Sequence, residues 1–150
     1  MTDLLTEEIP EFILASKTKR FFALLIDYIL YGIAFFLIAT YFGESYESED
    51  GTFNYKVEGF PALACFIIWF ALMPLMEGIK GQSFGKMIFG IKTLKQDGTK
   101  ASVGNATVRH LFDMIDFFPF LGIVGLIVAS KNNLQQRVGD LVAKTIVVQK

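Results

Sequence analysis

Cysteine and histidine each occur once among the 150 residues of this chain, and each scarcity removes a class of chemistry. With Cys65 alone there is no intrachain disulfide and no CxxC metal site. Set in an apolar run, Cys65 reads as a small core hydrophobe. With His110 alone no His-x-x-x-His zinc motif can form, and a multi-histidine metal site has too few ligands. Gly81-Gln82-Ser83-Phe84-Gly85 has the spelling of a Gly-x-Ser-x-Gly motif, but no strand precedes it to build a nucleophile elbow, and no Cys–His set or dinucleotide loop can be assembled, so no catalytic residue, cofactor or metal is expected and the chain is not expected to be an enzyme. Gly81 to Lys86 fails as a phosphate loop, because only three residues separate Gly81 from Gly85 and Met87, not a hydroxyl residue, follows Lys86. An excess of charge is missing too. Lys and Arg number 14 against 15 Asp and Glu, which gives no global attraction to nucleic acid.

Apolar surface is what the chain has in abundance. Hydrophobic residues make up 53% of it and Phe alone contributes 16, more than one soluble core of this size hides. From Phe21 to Phe42 the only ionisable acid is Asp27, and a helix of that length is about 33 Å long, enough to cross a hydrocarbon layer. Lys17, Lys19 and Arg20 precede this run; Glu44, Glu47, Glu49 and Asp50 follow it. Basic before and acidic after places the N-terminus in the cytoplasm. The acidic opening residues Asp3, Glu7, Glu8 and Glu11 do not resemble a signal peptide, so residues 1–16 are expected to be a cytoplasmic segment.

A second span is expected over residues 60–76, with Pro61 in its first turn and Pro74 kinking or ending it. Residues 43–59 then form a short polar, acidic external loop. Residues 77–104 carry Lys80, Lys86, Lys92, Lys95 and Lys100 and read as cytoplasmic. Within them Gly81 to Gly90 resembles an interfacial amphipathic segment, and Gly81-x-x-x-Gly85 permits close backbone approach. Ile91 to Leu94 alternates as a strand, Asp97-Gly98 is a turn signal and Ser102 is an N-cap for the next helix.

Residues 105–130 are either one tilted span or a hairpin that returns to the same side, since Pro119 and Gly122 interrupt the middle. Lys131, Arg137, Lys144 and Lys150 make residues 131–150 basic, which favours a cytoplasmic tail and therefore the hairpin. Thr145 to Val148 reads as a strand, and its expected partner is Ile91 to Leu94. The fold class is thus an all-α integral membrane protein with three to four transmembrane or re-entrant helices and a small cytoplasmic two-stranded β element.

Several charged residues are candidates for function. Arg20 and Asp27 are seven apart and share a helix face. An acid about 10 Å inside the membrane costs about 2.5–3.5 kcal/mol unless it finds a partner or water. Asp27 is therefore a candidate ion or proton site, with a helix-locking ion pair as the competing reading. Arg109, Asp113 and Asp116 form a second polar stripe at helical spacing, again either a cation or proton site or a self-neutralising seam. Arg137 and Asp140 form a cytoplasmic polar pair, in which Asp140 caps the neighbouring helix or pairs with Arg20.

Four blocks carry a family resemblance: Arg20-Phe21-Phe22-Ala23-Leu24-Leu25-Ile26-Asp27, Gly81-Gln82-Ser83-Phe84-Gly85-Lys86, Ile91-Lys92 through Asp97-Gly98, and Arg137-Val138-Gly139-Asp140-Leu141-Val142-Ala143-Lys144-Thr145. In this order, over Ser16 to Val148, the chain resembles the RDD family of bacterial membrane proteins. That family is named for an arginine opening the first helix, an aspartate within it and a further aspartate. The resemblance assigns these to Arg20, Asp27 and Asp140, with Asp113 and Asp116 as rivals for the third place. It implies a multi-pass protein of the inner membrane, residues 17–150 forming the family domain. It also implies transport of unknown ligands, sodium–proton antiport being reported for some members. Two functions are therefore expected to compete. One is transport of a solute, monovalent cation or proton through an intramembrane Asp. The other is a non-transporting assembly or scaffold subunit binding partner proteins or anionic lipids. The lipid bilayer is an expected partner in both, and the small size suggests a homo-oligomer or a membrane-protein partner.

Overall fold

The computed structural model describes residues 12–117 and 123–150, the side chains of residues 114–117 excepted. The expectations for Asp116, Pro119 and Gly122 lie outside the described residues. Helix α1 spans Lys17–Phe42 and is capped by Ser16, whose Oγ accepts from the Lys19 N–H at 3.3 Å. A second continuous helix runs from Gly59 to Lys80, and both are long and apolar enough to cross a membrane by length and composition. At 26 and 22 residues they measure roughly 39 and 33 Å.

Pro74 does not end the second helix. The helix begins as α2 (Gly59–Phe70), passes through a π-helical turn at Ala71–Leu75 and continues as α3 (Met76–Lys80). A π turn bonds i to i+5 and absorbs the missing proline N–H without breaking the rod. The helix consequently carries Glu77, expected in a connecting segment, inside the folded body with no exposed surface.

Residues 43–59 are more ordered than an external loop. Strands β1 (Glu44–Glu47) and β2 (Phe53–Lys56) form an antiparallel hairpin in the register Glu44↔Lys56 to Glu47↔Phe53. Their acidic, exposed composition hides the alternation that identifies strands. A short helix α4 (Phe84–Ile88) then leads into β3 (Ile91–Lys95), which pairs antiparallel with the last strand β4 (Thr145–Gln149). The pairing expected from the alternation at Ile91 to Leu94 is present, with Ile91 opposite Gln149 and Lys95 opposite Thr145. Residues before α1 extend this pair: Ala15 N–H donates to Val147 C=O at 2.9 Å, and Gln149 N–H to Ile13 C=O at 2.8 Å.

Helix α5 (Val103–Phe117) begins under Ser102, whose Oγ accepts from the Asn105 N–H at 3.2 Å. Helices α6 (Ile123–Ser130) and α7 (Val138–Ala143) follow. The start of α5 and the end of α6 face the same end of α1. Asn105 Nδ2 donates to Ala143 C=O at 3.1 Å beside β4, and Lys17 Nζ donates to Ser130 Oγ at 2.8 Å. The fold is therefore mostly helical with two small antiparallel sheets.

Buried apolar residues concentrate where α1 meets the β3–β4 pair. Ala15, Ala23, Ile91 and Val147 pack together with Phe89, and Leu94, Ile146 and Val148 pack with Phe12 and Leu14. Outside that junction the helices turn large apolar side chains outward. Phe36 is 61% exposed, Phe60 82% and Ile67 56%, a surface that water does not tolerate in a soluble monomer.

Close helix contact rests on glycine. A Cβ on Gly85 would lie 1.9 Å from the Ala23 carbonyl oxygen on α1. Gly85→Ala is expected to cost about 1–3 kcal/mol or more, because backbone rather than a flexible side chain must yield. Gly32→Ala, where nothing lies within 4 Å, should leave the thermal midpoint of the detergent-solubilised protein unchanged. Equal midpoints for the two variants would show that α1 and α4 are not in this contact.

Candidate functional site: a buried charge network

Four described carboxylates are almost completely buried: Asp27, Glu77, Asp113 and Asp140. A buried carboxylate must be paired or hydrogen-bonded, or its burial is strongly unfavourable. Each is partnered, and the partners come from every part of the chain.

Glu77, at the end of the long second helix, sits at the centre. Its Oε2 accepts from Lys86 Nζ at 2.5 Å, and its Oε1 is ion-paired with Arg109 Nη1. Thr93 on β3 completes this knot, its Oγ1 accepting from Lys86 Nζ at 2.7 Å and from Arg109 Nη1 at 2.8 Å. Burial pushes the Lys86 ammonium down to about 8, with Arg109 adding to the effect and Glu77 opposing it.

Arg109 also joins this knot to a second one. Its Nε lies 2.7 Å from Asp140 Oδ1 on α7, while Asp140 Oδ2 pairs with Arg20 Nη2 and accepts the Arg137 N–H at 3.1 Å. Asp140 therefore both caps the start of α7 and receives the arginine that opens α1. Arg20 Nη1 donates in addition to the Gln135 carbonyl. Burial alone would raise the Asp140 carboxyl, but Arg109, Arg20 and Arg137 outweigh it and hold the group at about 2. Gly139 permits the approach, since a Cβ there would stand 2.6 Å from the Arg109 carbonyl oxygen.

Asp27 does not pair with Arg20, although the two share a helix face. The Ser83 hydroxyl donates to its Oδ2 at 2.5 Å and the Gly85 N–H to its Oδ1 at 2.7 Å. Ser83 and Gly85 form the first turn of α4, so Asp27 satisfies a helix start from outside that helix. Asp113 pairs through His110 instead of through Arg109, its neighbour at helical spacing: Asp113 Oδ2 is 2.7 Å from His110 Nδ1, and His110 Nε2 is 3.0 Å from Glu77 Oε2. A neutral imidazole carries only one N–H. Both contacts are hydrogen bonds only if the Asp113–His110–Glu77 array holds one further proton.

The sequence-derived candidates Arg20, Asp27, Asp113 and Asp140 thus meet in one network, and Arg137 stands at its edge through its backbone N–H. Glu77, Lys86 and Thr93 are the members that sequence reasoning passed over. The available signal was a glutamate three residues past a proline in an apolar run, followed by a lone lysine between apolar neighbours. Space inside the network is minimal: the void bounded by Asp27, Lys86, Arg109 and His110 measures about 10 Å³, about the volume of a single water at most. Cys65 lies elsewhere, on the wall of an aromatic cavity of about 440 Å³ between Tyr31, Phe66 and Trp69 that reaches His110. Among the described residues no group of three His, Cys, Asp or Glu side chains is placed to hold a metal ion.

Two helices long and apolar enough to cross a membrane, clamped at one end by a buried charge network and a strand pair, define a small, mostly helical protein with two candidate membrane spans. The chain belongs to the RDD family, whose family model matches residues 14–144. No curated protein and no solved structure matches it.

Two outcomes follow. Arg109→Ala strands Glu77 and Asp140 together and should cost about 3–5 kcal/mol. Lys56→Ala, which breaks only the exposed 3.1 Å pair with Glu58, should leave the midpoint in thermal unfolding unchanged. The second outcome concerns acid. The folded Asp140 value lies below its ordinary 3.8, at about 2. Its stabilisation, about 2 kcal/mol, is present above pH about 4 and lost as pH falls through about 2. Asp140→Asn should flatten the acid limb of a midpoint-versus-pH curve relative to the wild type.

Proposed function

We propose that this RDD-family protein is a multi-pass protein of the cytoplasmic membrane with its N-terminus inside, acting as a non-transporting assembly subunit. Its basic inner face, carrying Lys17, Lys92, Lys95, Arg137 and Lys144, engages partner proteins or anionic lipids. The reading places α1 and the Gly59–Lys80 helix across the bilayer, and α5 with α6 as a re-entrant hairpin entering from the cytoplasmic side. Basic residues flank α1 on the side of the strand pair, and acidic residues follow it on the side of the β1–β2 hairpin, in keeping with the charge bias of membrane proteins.

The observation that carries this reading is the closure of the network. Each described buried carboxylate is engaged within the chain, and the void beside Asp27, lined also by Lys86, Arg109 and His110, measures about 10 Å³. A cation site needs oxygen ligands with room for an ion, and a transport path needs a wetted route to it. Asp27, the acid nearest the middle of α1, instead joins α1 to α4.

One observation favours a second reading, proton-coupled cation exchange. His110 lies between two carboxylates with an extra proton to hold, and it borders the 440 Å³ aromatic cavity. Acid–histidine chains serve as proton relays in membrane pumps and transporters.

Proteoliposomes holding an internal pH dye separate the two. Under sodium, lithium or potassium gradients the wild type should show no proton flux above protein-free liposomes. Cation-dependent flux that disappears in Asp27→Asn or His110→Gln, with both variants folded, would replace the assembly reading with the exchanger.

A further inference from the structure

The groove between α1 and α6 gathers cations at one end. It has a volume of about 360 Å³, and Lys17, Arg20 and Arg137 line it without any acidic residue. The Lys17 ammonium meets only the Ser130 hydroxyl among the described residues. Among the described residues no carboxylate lies within salt-bridge distance of the Arg137 guanidinium, whose charge acts on Asp140 from farther away. Arg20 is 5% exposed, yet its Nε has no hydrogen-bond partner among the described residues. That nitrogen is closed off from the groove, so the cations that face the opening are Lys17 and Arg137.

Beyond the cations the walls are apolar. Phe21 and Leu24 form the α1 side, and Ile123, Leu126 and Ala129 the α6 side. Since Ser130 meets Lys17, Leu24 and Ile123 both lie about 10 Å farther along the helices. Phe21, Ile123 and Leu126 remain substantially exposed, so the groove opens outward. A positive end continuing into a hydrocarbon-lined channel matches an amphiphile carrying negative charge at its head. The inner leaflet of a membrane supplies such molecules.

We propose that this groove binds one anionic phospholipid. Its phosphodiester lies on Lys17 and Arg137, and one acyl chain runs between Phe21, Leu24 and Leu126. The inference rests on the membrane placement proposed above and deepens it by naming the lipid class and the residues that select it. It does not depend on whether the protein transports.

The test uses the full chain in a neutral detergent, titrated with phosphatidylglycerol or phosphatidylcholine of the same acyl chains and read by native mass spectrometry. One phosphatidylglycerol per chain should be retained, with a preference of about tenfold or more expected from two unshared cations. Lys17→Gln with Arg137→Gln should abolish the preference in a chain that still unfolds cooperatively on heating. Lys100→Gln with Lys150→Gln, which removes the same charge elsewhere, should preserve it. Equal retention of the two lipids by the wild type overturns the proposal. So does a preference that both double variants lose alike, which would mark diffuse attraction. Full competition by glycerol phosphate would make this a free-phosphate site, and a dimer that excludes lipid would make it a contact between copies; either sinks the lipid assignment. Alkaline carbonate extraction separates this failure from that of the membrane reading. A chain that stays in the membrane but shows no lipid preference loses the lipid site alone, whereas a chain that washes out loses both.

Discussion

Glu77 is fully enclosed, and a carboxylate taken out of water loses several kcal/mol of solvation even after the protein relaxes around it. The structure offsets that loss by bringing Lys86 from α4, Thr93 from β3, and Arg109 and His110 from α5 to one point. Arg109 is the shared member. Its planar guanidinium presents donors in fixed directions, so one edge serves Glu77 while Nε serves Asp140. Through Asp140 the arrangement reaches Arg20 and the first turn of α1. The long helices, α7 and the strand pair are thereby tied together by a few side chains, at the one end of the molecule where apolar packing is also concentrated.

Backbone proximity makes such a network feasible. Glu77 is followed by Gly78, Lys86 is preceded by Gly85 and Asp140 by Gly139. At Gly85 and Gly139 a β-carbon would collide with the carbonyl oxygen of another helix. Each charged residue is thus carried on a segment that can lie against its neighbour with no side chain between. Helices that approach this closely allow short carboxylates such as Asp140 and Asp27 to reach partners directly. The glycines and the charges form one design, and separate accounts of them would miss why both are where they are.

Much of this architecture was legible along the chain. The apolar runs locate α1 and the second helix, Ser102 marks the start of α5, and the alternation at Ile91 and Thr145 identifies two strands that pair. Arg20, Asp27 and Asp140 stand out because charges in apolar or glycine-rich surroundings are conspicuous. Which acid meets which base was not legible. Arg20 and Asp27 share a face, yet Arg20 turns to a residue 120 positions away and Asp27 to Ser83, since pairing is decided by how helices cross and not by spacing within one helix. The second span reads only to residue 76, with Pro74 kinking or ending it, whereas a π turn tolerates the proline and carries the helix on to Lys80. Ending the span there removes Glu77 from the folded body and, with it, the centre of the network.

The distance in sequence between Arg20 and Asp140 has a consequence for biosynthesis. Translation proceeds at roughly 5–20 residues per second, so Arg20 waits on the order of ten seconds before its carboxylate has been made. During that interval α1 carries an arginine and an aspartate that lack their final partners, because Ser83 also comes later. Until then those charges rely on water or on other groups for solvation. The completed fold is consequently sealed from its far end. A chain that stops short of α7 leaves α1 chemically unfinished, since Arg20 then lacks the carboxylate it pairs with.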